Sequence, residues 1–256
     1  MPPRPLLLLP FLLGALLPVA AAAEDDTRPS ASTPFAVSDA YTNEAGAFQI
    51  QGNFGYERAR GGGEDFRPAP VLKYGVTDWL ELELGADYGF GNGSGVNQGS
   101  LAPGVTFRVM EQDGFRPTLA LIAGVALPFG PGHGGTATEL GAATSWVTGR
   151  GPGAWGLHLQ GGWRATIDPQ PEERRNGWLA GAAISHVVAP AMELVAAYSQ
   201  RSQDRGERNL SVIEAGFIRG LTDQLSLGVA AGAGLNRDSP RLRLTASLSY
   251  SFTTGR

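Results

Sequence analysis

Residues 241–252 read "RLRLTASLSYSF". Leu242, Leu244, Ala246, Leu248, Tyr250 and Phe252 are apolar, and Arg, Thr or Ser fills each position between them. Alternation of period two marks a β-strand whose two faces meet different solvents. In a soluble sandwich the apolar face would meet a core. In a membrane barrel it would meet lipid, with the polar face in a wet lumen. One segment does not choose between them.

The same alternation recurs along the chain. In "WLELELGADYGF" (79–90) Leu80, Leu82, Leu84, Ala86, Tyr88 and Phe90 alternate with Glu81, Glu83, Gly85, Asp87 and Gly89. Phe48, Ile50, Phe54 and Tyr56 do so near residue 50, as do Trp155, Leu157, Leu159 and Trp163, and Leu225, Leu227 and Val229. The pattern predicts twelve strands, at 46–58, 66–76, 79–90, 100–110, 115–128, 136–148, 154–167, 176–188, 192–201, 209–219, 223–235 and 240–252. Each has about the ten residues a tilted strand needs to cross a bilayer.

The connections sort by parity. "ARGGGED", "GNGSGVNQG", "PFGPGHGG", "DPQPEERR", "SQDRGER" and "NRDSP" are long, whereas "VTD", "EQDG", "GRGPG", "APA" and "GLTD" between them are short. Long loops alternating with tight turns is the outer-membrane barrel pattern, with loops outside the cell and both termini in the periplasm. The faces agree: aromatics such as Phe48, Tyr88, Trp163 and Phe252 share the apolar face, and charges such as Glu57, Arg67, Glu139, Arg164, Glu193, Arg201, Glu214 and Arg243 share the other. Charge in mid-bilayer lipid costs several kcal/mol, so the polar face looks inward. The fold class is therefore all-β, a transmembrane antiparallel up-and-down barrel of about twelve strands.

Residues 1–23 have the form of a secretory signal, with Arg4, the apolar run Leu6–Leu17 and an Ala21-x-Ala23 cleavage site. Residues 24–45 are expected to be a flexible periplasmic leader, 46–252 the barrel and 253–256 a short C-terminal extension. The chain has no Cys, which excludes a disulfide framework and a lipoprotein anchor. Its single Lys and scattered Arg form no basic patch, which argues against nucleic acid. The expected partners are outer-membrane lipid, the barrel insertion machinery and a small-molecule solute.

The segments "STPFAVSDAYTNEAGAFQIQGNFGYE", "VLKYGVTDWLELELGADY", "RPTLALIAGVALPFG" and "RGLTDQLSLGVAAGAGL" resemble the outer-membrane family associated with the MetA pathway of phenol degradation. The resemblance spans essentially the whole chain after the signal. It implies a barrel and the passage of small solutes, aromatic or hydrophobic ones among them, and carries no catalytic residues. Such barrels usually end at an aromatic residue, whereas here "TTGR" follows Phe252.

Other chemistry is weakly supported. "GPGHGG" (130–135) matches a nucleotide-binding spacing, but predicted strands flank it where a helix is needed. His133, His158 and His186 lie apart and no metal or other cofactor is expected. His158 faces inward and is expected to hydrogen-bond in the lumen. Ser185 and His186 are adjacent and so face opposite sides, which leaves no nucleophile–base pair for a lipid hydrolase. No enzyme is expected. The leading reading is a passive pore, and the alternative is a closed barrel with a structural or interaction role.

A charge cluster is predicted near the periplasmic end. Pairing Gly75 with Trp79 sets Lys73 across from Glu81 and Val71 across from Glu83, and the "EQDG" turn sets Arg108 across from Arg116. Lys73, Glu81, Glu83, Arg108 and Arg116 are thus the candidate lumen residues. Inward Gly and Ser at 85, 89, 104, 124, 156, 162, 226, 228 and 232 favour an open bore.

Overall fold

The computed structural model describes residues 27–31, 33–93 and 97–253, so the expected signal segment and all of the C-terminal extension but Thr253 lie outside the described residues. The strands are β1 (Ala47–Arg58), β2 (Glu64–Thr77), β3 (Leu80–Tyr88), β4 (Phe90–Gly91), β5 (Gly99–Met110), β6 (Thr118–Phe129), β7 (Thr136–Val147), β8 (Trp155–Ile167), β9 (Asn176–Ala189), β10 (Met192–Arg201), β11 (Leu210–Gly220), β12 (Leu225–Gly234) and β13 (Leu242–Thr253). β3 and β4 are one strand interrupted at Gly89, which makes twelve barrel strands. All neighbours are antiparallel, and β1 pairs with β13 from Ala47↔Thr253 to Arg58↔Leu242, which closes the sheet. Closure leaves no unpaired edge, the condition for β-structure in lipid.

Burial is inverted relative to a soluble protein. Leu82, Leu121, Leu140, Ile184, Leu194 and Leu248 are exposed on the outer face, while Gln51, Glu81, Ser145, His158, Glu193 and Glu214 are buried inside. Aromatic rings mark both rims. Phe48 lies 4.5 Å from Tyr74 and 5.5 Å from Phe252 at the end that carries the termini, and Phe66 stacks on Phe90 at 5.4 Å at the other. An apolar belt between aromatic girdles is the exterior a bilayer selects. The opening stretch resolves accordingly: Leu248 and Tyr250 face out, and Arg243, Ser247 and Ser249 face in.

The rim with the termini is called the turn end and the opposite one the loop end. The contrast in connection length is smaller than the sequence suggested, because the turn-end connections 111–117 and 148–154 are as long as several loops. β6 begins at Thr118, just past Pro117, and not at 115.

Residues 27–45 correct a second expectation. They are not a free leader: from Thr27 the chain enters the lumen at the turn end, reaches about halfway, and returns to start β1. Thr27 accepts from Gly151 N–H through its carbonyl at 2.8 Å and from Ala191 N–H through its hydroxyl at 3.1 Å, both in turn-end connections. Ala31, Phe35, Val37 and Ala40 are buried. The wall supplies the room, since a Cβ at Gly181 would come 2.7 Å from Val37, one at Gly156 2.8 Å from Pro29, and one at Gly228 would overlap Pro34. Two of the glycines expected to open the bore, Gly156 and Gly228, instead accommodate the protein's own chain.

Candidate functional site

Polar side chains from all around the wall converge in the lumen, and the leader divides it. Wall acceptors meet leader N–H groups in sequence. Ser30 N–H donates to Glu193 Oε1 at 2.6 Å, Ala36 N–H to Glu214 Oε2 at 3.2 Å, Ser38 N–H to Gln160 Oε1 at 2.8 Å, Ala40 N–H to Ser145 Oγ at 3.0 Å and Asn43 N–H to Glu81 Oε2 at 2.9 Å. A backbone taken out of water must find such partners, and bonds to a carboxylate are the stronger kind, about 1.5–3 kcal/mol each. Within the leader, the Arg28 guanidinium lies 3.7 Å from the centroid of the Tyr41 ring. Burial and the nearby Asp39 carboxylate raise the Tyr41 phenol well above its ordinary range.

The predicted cluster is brought together in part. Lys73 Nζ lies 3.4 Å from Glu81 Oε1 and 3.4 Å from Glu83 Oε2. The register differs from the expected one: Lys73 is opposite Glu83 and Gly75 opposite Glu81, with a bulge between Gly75 and Thr77. The offset is an even number of residues, so the inward face is conserved and the three charges still meet. Arg108 and Arg116 are not opposite each other. Arg108 pairs with Ala120 after a bulge before Met110, and bonds the Asp78 carbonyl at 2.6 Å and Glu111 at 3.7 Å. Arg116 is exposed in the β5–β6 connection, where it bridges Asp113. Glu81 serves both Lys73 and the leader, a role the sequence reading did not include.

His158 is fully buried between two hydroxyls, with Nδ1 2.9 Å from Ser145 Oγ and Nε2 3.1 Å from Ser185 Oγ. Both ring nitrogens are therefore used on serines. A nucleophile–base–acid relay needs one of them on a carboxylate. The chain is a hydrogen-bond strap across β7, β8 and β9. His186 faces outward and stacks on Trp155 at 4.0 Å.

Beside the leader a cavity of about 390 Å³ remains. Its lining on β5 and β6 is small or apolar, with Ala102, Gly104, Ile122 and Gly124, and charged residues flank that strip on both sides, Lys73 and Glu83 on β2 and β3 and Glu139 and Arg164 on β7 and β8. Above it, toward the loop end, Arg67 is ion-paired with Asp87, and Arg243 lies 2.6 Å from Glu57 and 3.7 Å from Glu214. The sequence marked these residues as inward charges but did not join them.

Neither a family model nor a curated protein matches the chain. Solved structures do. An outer membrane channel from Pseudomonas putida F1 superposes with a TM-score of 0.56 at 16% identity, covering 84% of this chain and 98% of that one. The KdgM porin gives 0.54 at 10% identity, covering 80% and 99%, and the NanC porin 0.52 at 7%, covering 81% and 100%. At these identities the likeness is one of fold. The protein is an outer-membrane-type β-barrel, and its lipid-facing belt places it in the outer membrane.

Proposed function

We propose that the barrel is a passive channel for small solutes, which pass through the lumen beside the leader. The observation that carries this reading is the cavity of about 390 Å³ that survives next to the leader, lined by a strip of small side chains on β5 and β6 with charged residues on both flanks. Barrels of about eight strands are filled by side chains, whereas this sector of a twelve-stranded one is left open. The mixed wall suits compact molecules with an apolar part, in keeping with the resemblance to the phenol-degradation family and its aromatic or hydrophobic solutes. Lys73, Glu81 and Glu83 then narrow the turn-end mouth while fastening the leader's exit. The long loops lie outside the cell and the turns in the periplasm.

Refolded protein in a planar bilayer tests the channel. Discrete conductance steps are expected, and a silent, correctly folded barrel would return the structural alternative. Orientation is read on intact cells, where Cys at Gly62 or Gly134 should react with an impermeant maleimide and Cys at Asp78 or Thr222 should not.

A further inference from the structure

Four arginines project from the wall in the loop-end half of the lumen: Arg67 on β2, Arg164 on β8, Arg201 on β10 and Arg243 on β13. Arg67 and Arg243 are bonded to carboxylates, as described. Arg164 and Arg201 are not: among the described residues, neither guanidinium has a hydrogen-bond or ion-pair partner. Both side chains are exposed, and their parity, shared with His158 and Glu193 respectively, turns them to the lumen. Glu139 stands directly opposite Arg164 in the β7–β8 ladder and its charge also bears on Arg201, yet it forms an ion pair with neither. Asp204 in the β10–β11 connection feels Arg164 from above. Around Arg201 the field is mostly basic, from Arg243, Arg164 and Arg67 against Glu57.

An arginine that only braces a barrel wall is bonded, as Arg67 and Arg243 are. Two guanidinia with β9 between their strands, near enough for the charge of one to act on the other, present planar forks of donors matched to an oxyanion, and a carboxylate can take two parallel bonds from one fork. Arg164 also borders the cavity, whose small-residue strip of Ala102, Gly104, Ile122 and Gly124 begins on β6, two strands along the sheet. We propose that Arg164 and Arg201 form an anion-binding station that takes the carboxylate of a small organic acid, with the acid's apolar part against the small-residue wall of β5 and β6. The proposal rests on the channel reading and names its solute class. Glu139 is the built-in competitor, close enough to weaken the site and too far to close it.

Calorimetry on the folded full-length barrel in detergent tests this with three probes: benzoate, benzyl alcohol and inorganic phosphate. Benzoate should bind, with benzyl alcohol weaker by about tenfold or more because it loses a charge-assisted bond, and phosphate weaker by about the same factor because it has no apolar part to bury. Arg164→Gln with Arg201→Gln should weaken benzoate by a similar factor, and the corresponding Lys pair should recover part of it. Glu139→Gln should tighten benzoate, a gain that misfolding cannot imitate. The proposal is overturned if benzoate does not bind, if the double Gln variant binds it like the parent, or if benzyl alcohol or phosphate binds as well. Because binding is read without current, a barrel that binds benzoate and conducts nothing overturns the channel reading alone. One that conducts but ignores benzoate overturns this proposal alone.

Discussion

In the turn-end half of the lumen, Glu81, Glu83 and Glu193 each hold a lysine or a leader N–H, as Glu214 does at mid-height, whereas in the loop-end half Arg164 and Arg201 have no partner among the described residues. The difference follows from water. Where the leader fills the barrel, polar groups are cut off from solvent and an unmet one costs about 1–3 kcal/mol, so wall acceptors meet leader N–H groups, with the Tyr41 hydroxyl and Asn43 Nδ2 as exceptions. Where the barrel stays wet, an unpaired guanidinium is solvated and costs little. The filled half is organised for closure, and the wet half can leave donors open to a visitor.

The strongest way to break that contrast is to remove residues 27–45. Single-channel conductance should rise several-fold as the cavity merges with the vacated space, while the carboxylates left behind are hydrated and the barrel still folds. Unchanged conductance would show that the leader is not what narrows the turn end. The next effect is a comparison of faces. Leu140→Arg puts a charge on the lipid-exposed leucine of β7 and should cost about 2–4 kcal/mol if the site lies near the midplane. Folding yield in lipid should fall, with the conductance of the surviving channels unchanged. Ser247→Arg should do the reverse, with a modest loss of yield and an altered conductance, because Ser247 is 3% exposed beside Gly228 and Pro34.

Ser247 also shows how far the sequence was legible. Its parity was readable from the alternation in "RLRLTASLSYSF", and so were the strand number, the closure and the inward charges, because period two is written locally in the chain. Parity names a face and says nothing of what lies against it. The inward glycines at 156 and 228 read as open space, and they are space, but Pro29 and Pro34 occupy it. The leader looked idle because its larger apolar side chains are few, Phe35, Val37 and Tyr41 beside two prolines and some alanines. A usable signal was present on the strands: Glu193 and Glu214 face inward with Ile218, Val187, Ala197 and Gly232 beside them in the ladder, so neither has a cation directly opposite. Glu214 finds Arg243 at 3.7 Å from a strand further on, whereas Glu193 forms no ion pair among the described residues, and a buried carboxylate so placed asks for a donor from elsewhere. The cluster at Lys73 survived a register error because the error was even, while Arg108 and Arg116 were lost because bulges and a longer connection moved one of them out of the barrel.

A single carboxylate sharpens the contrast with a smaller effect. Glu193→Ala leaves the Ser30 N–H without its acceptor and should cost about 1–3 kcal/mol of leader attachment. Limited proteolysis reads it directly, since cleavage within 27–45 should accelerate while the barrel fragment stays intact. If cleavage is no faster, that bond does not hold the leader.

The smallest effect is a single methyl group, and there the two sectors should differ in sign. Neither Gly228 nor Gly124 has a positive φ, so alanine fits either backbone and, space permitting, should stabilise by about 0.4–1 kcal/mol by narrowing the unfolded ensemble. At Gly124, on the cavity wall, the added Cβ would sit 3.5 Å from the Pro103 carbonyl oxygen, an ordinary contact, so Gly124→Ala should show the small gain. At Gly228 the Cβ would overlap Pro34 and come 2.6 Å from Ser247 Oγ, so leader or wall must shift and Gly228→Ala should lose stability, by roughly the 1–3 kcal/mol typical of overpacking. Urea midpoints in lipid vesicles separate the outcomes. Gains at both positions would mean the leader yields without resistance and the turn-end half is not tightly filled. Losses at both would mean that the cavity beside β6 is already occupied by wall side chains, which would remove the route the solute needs.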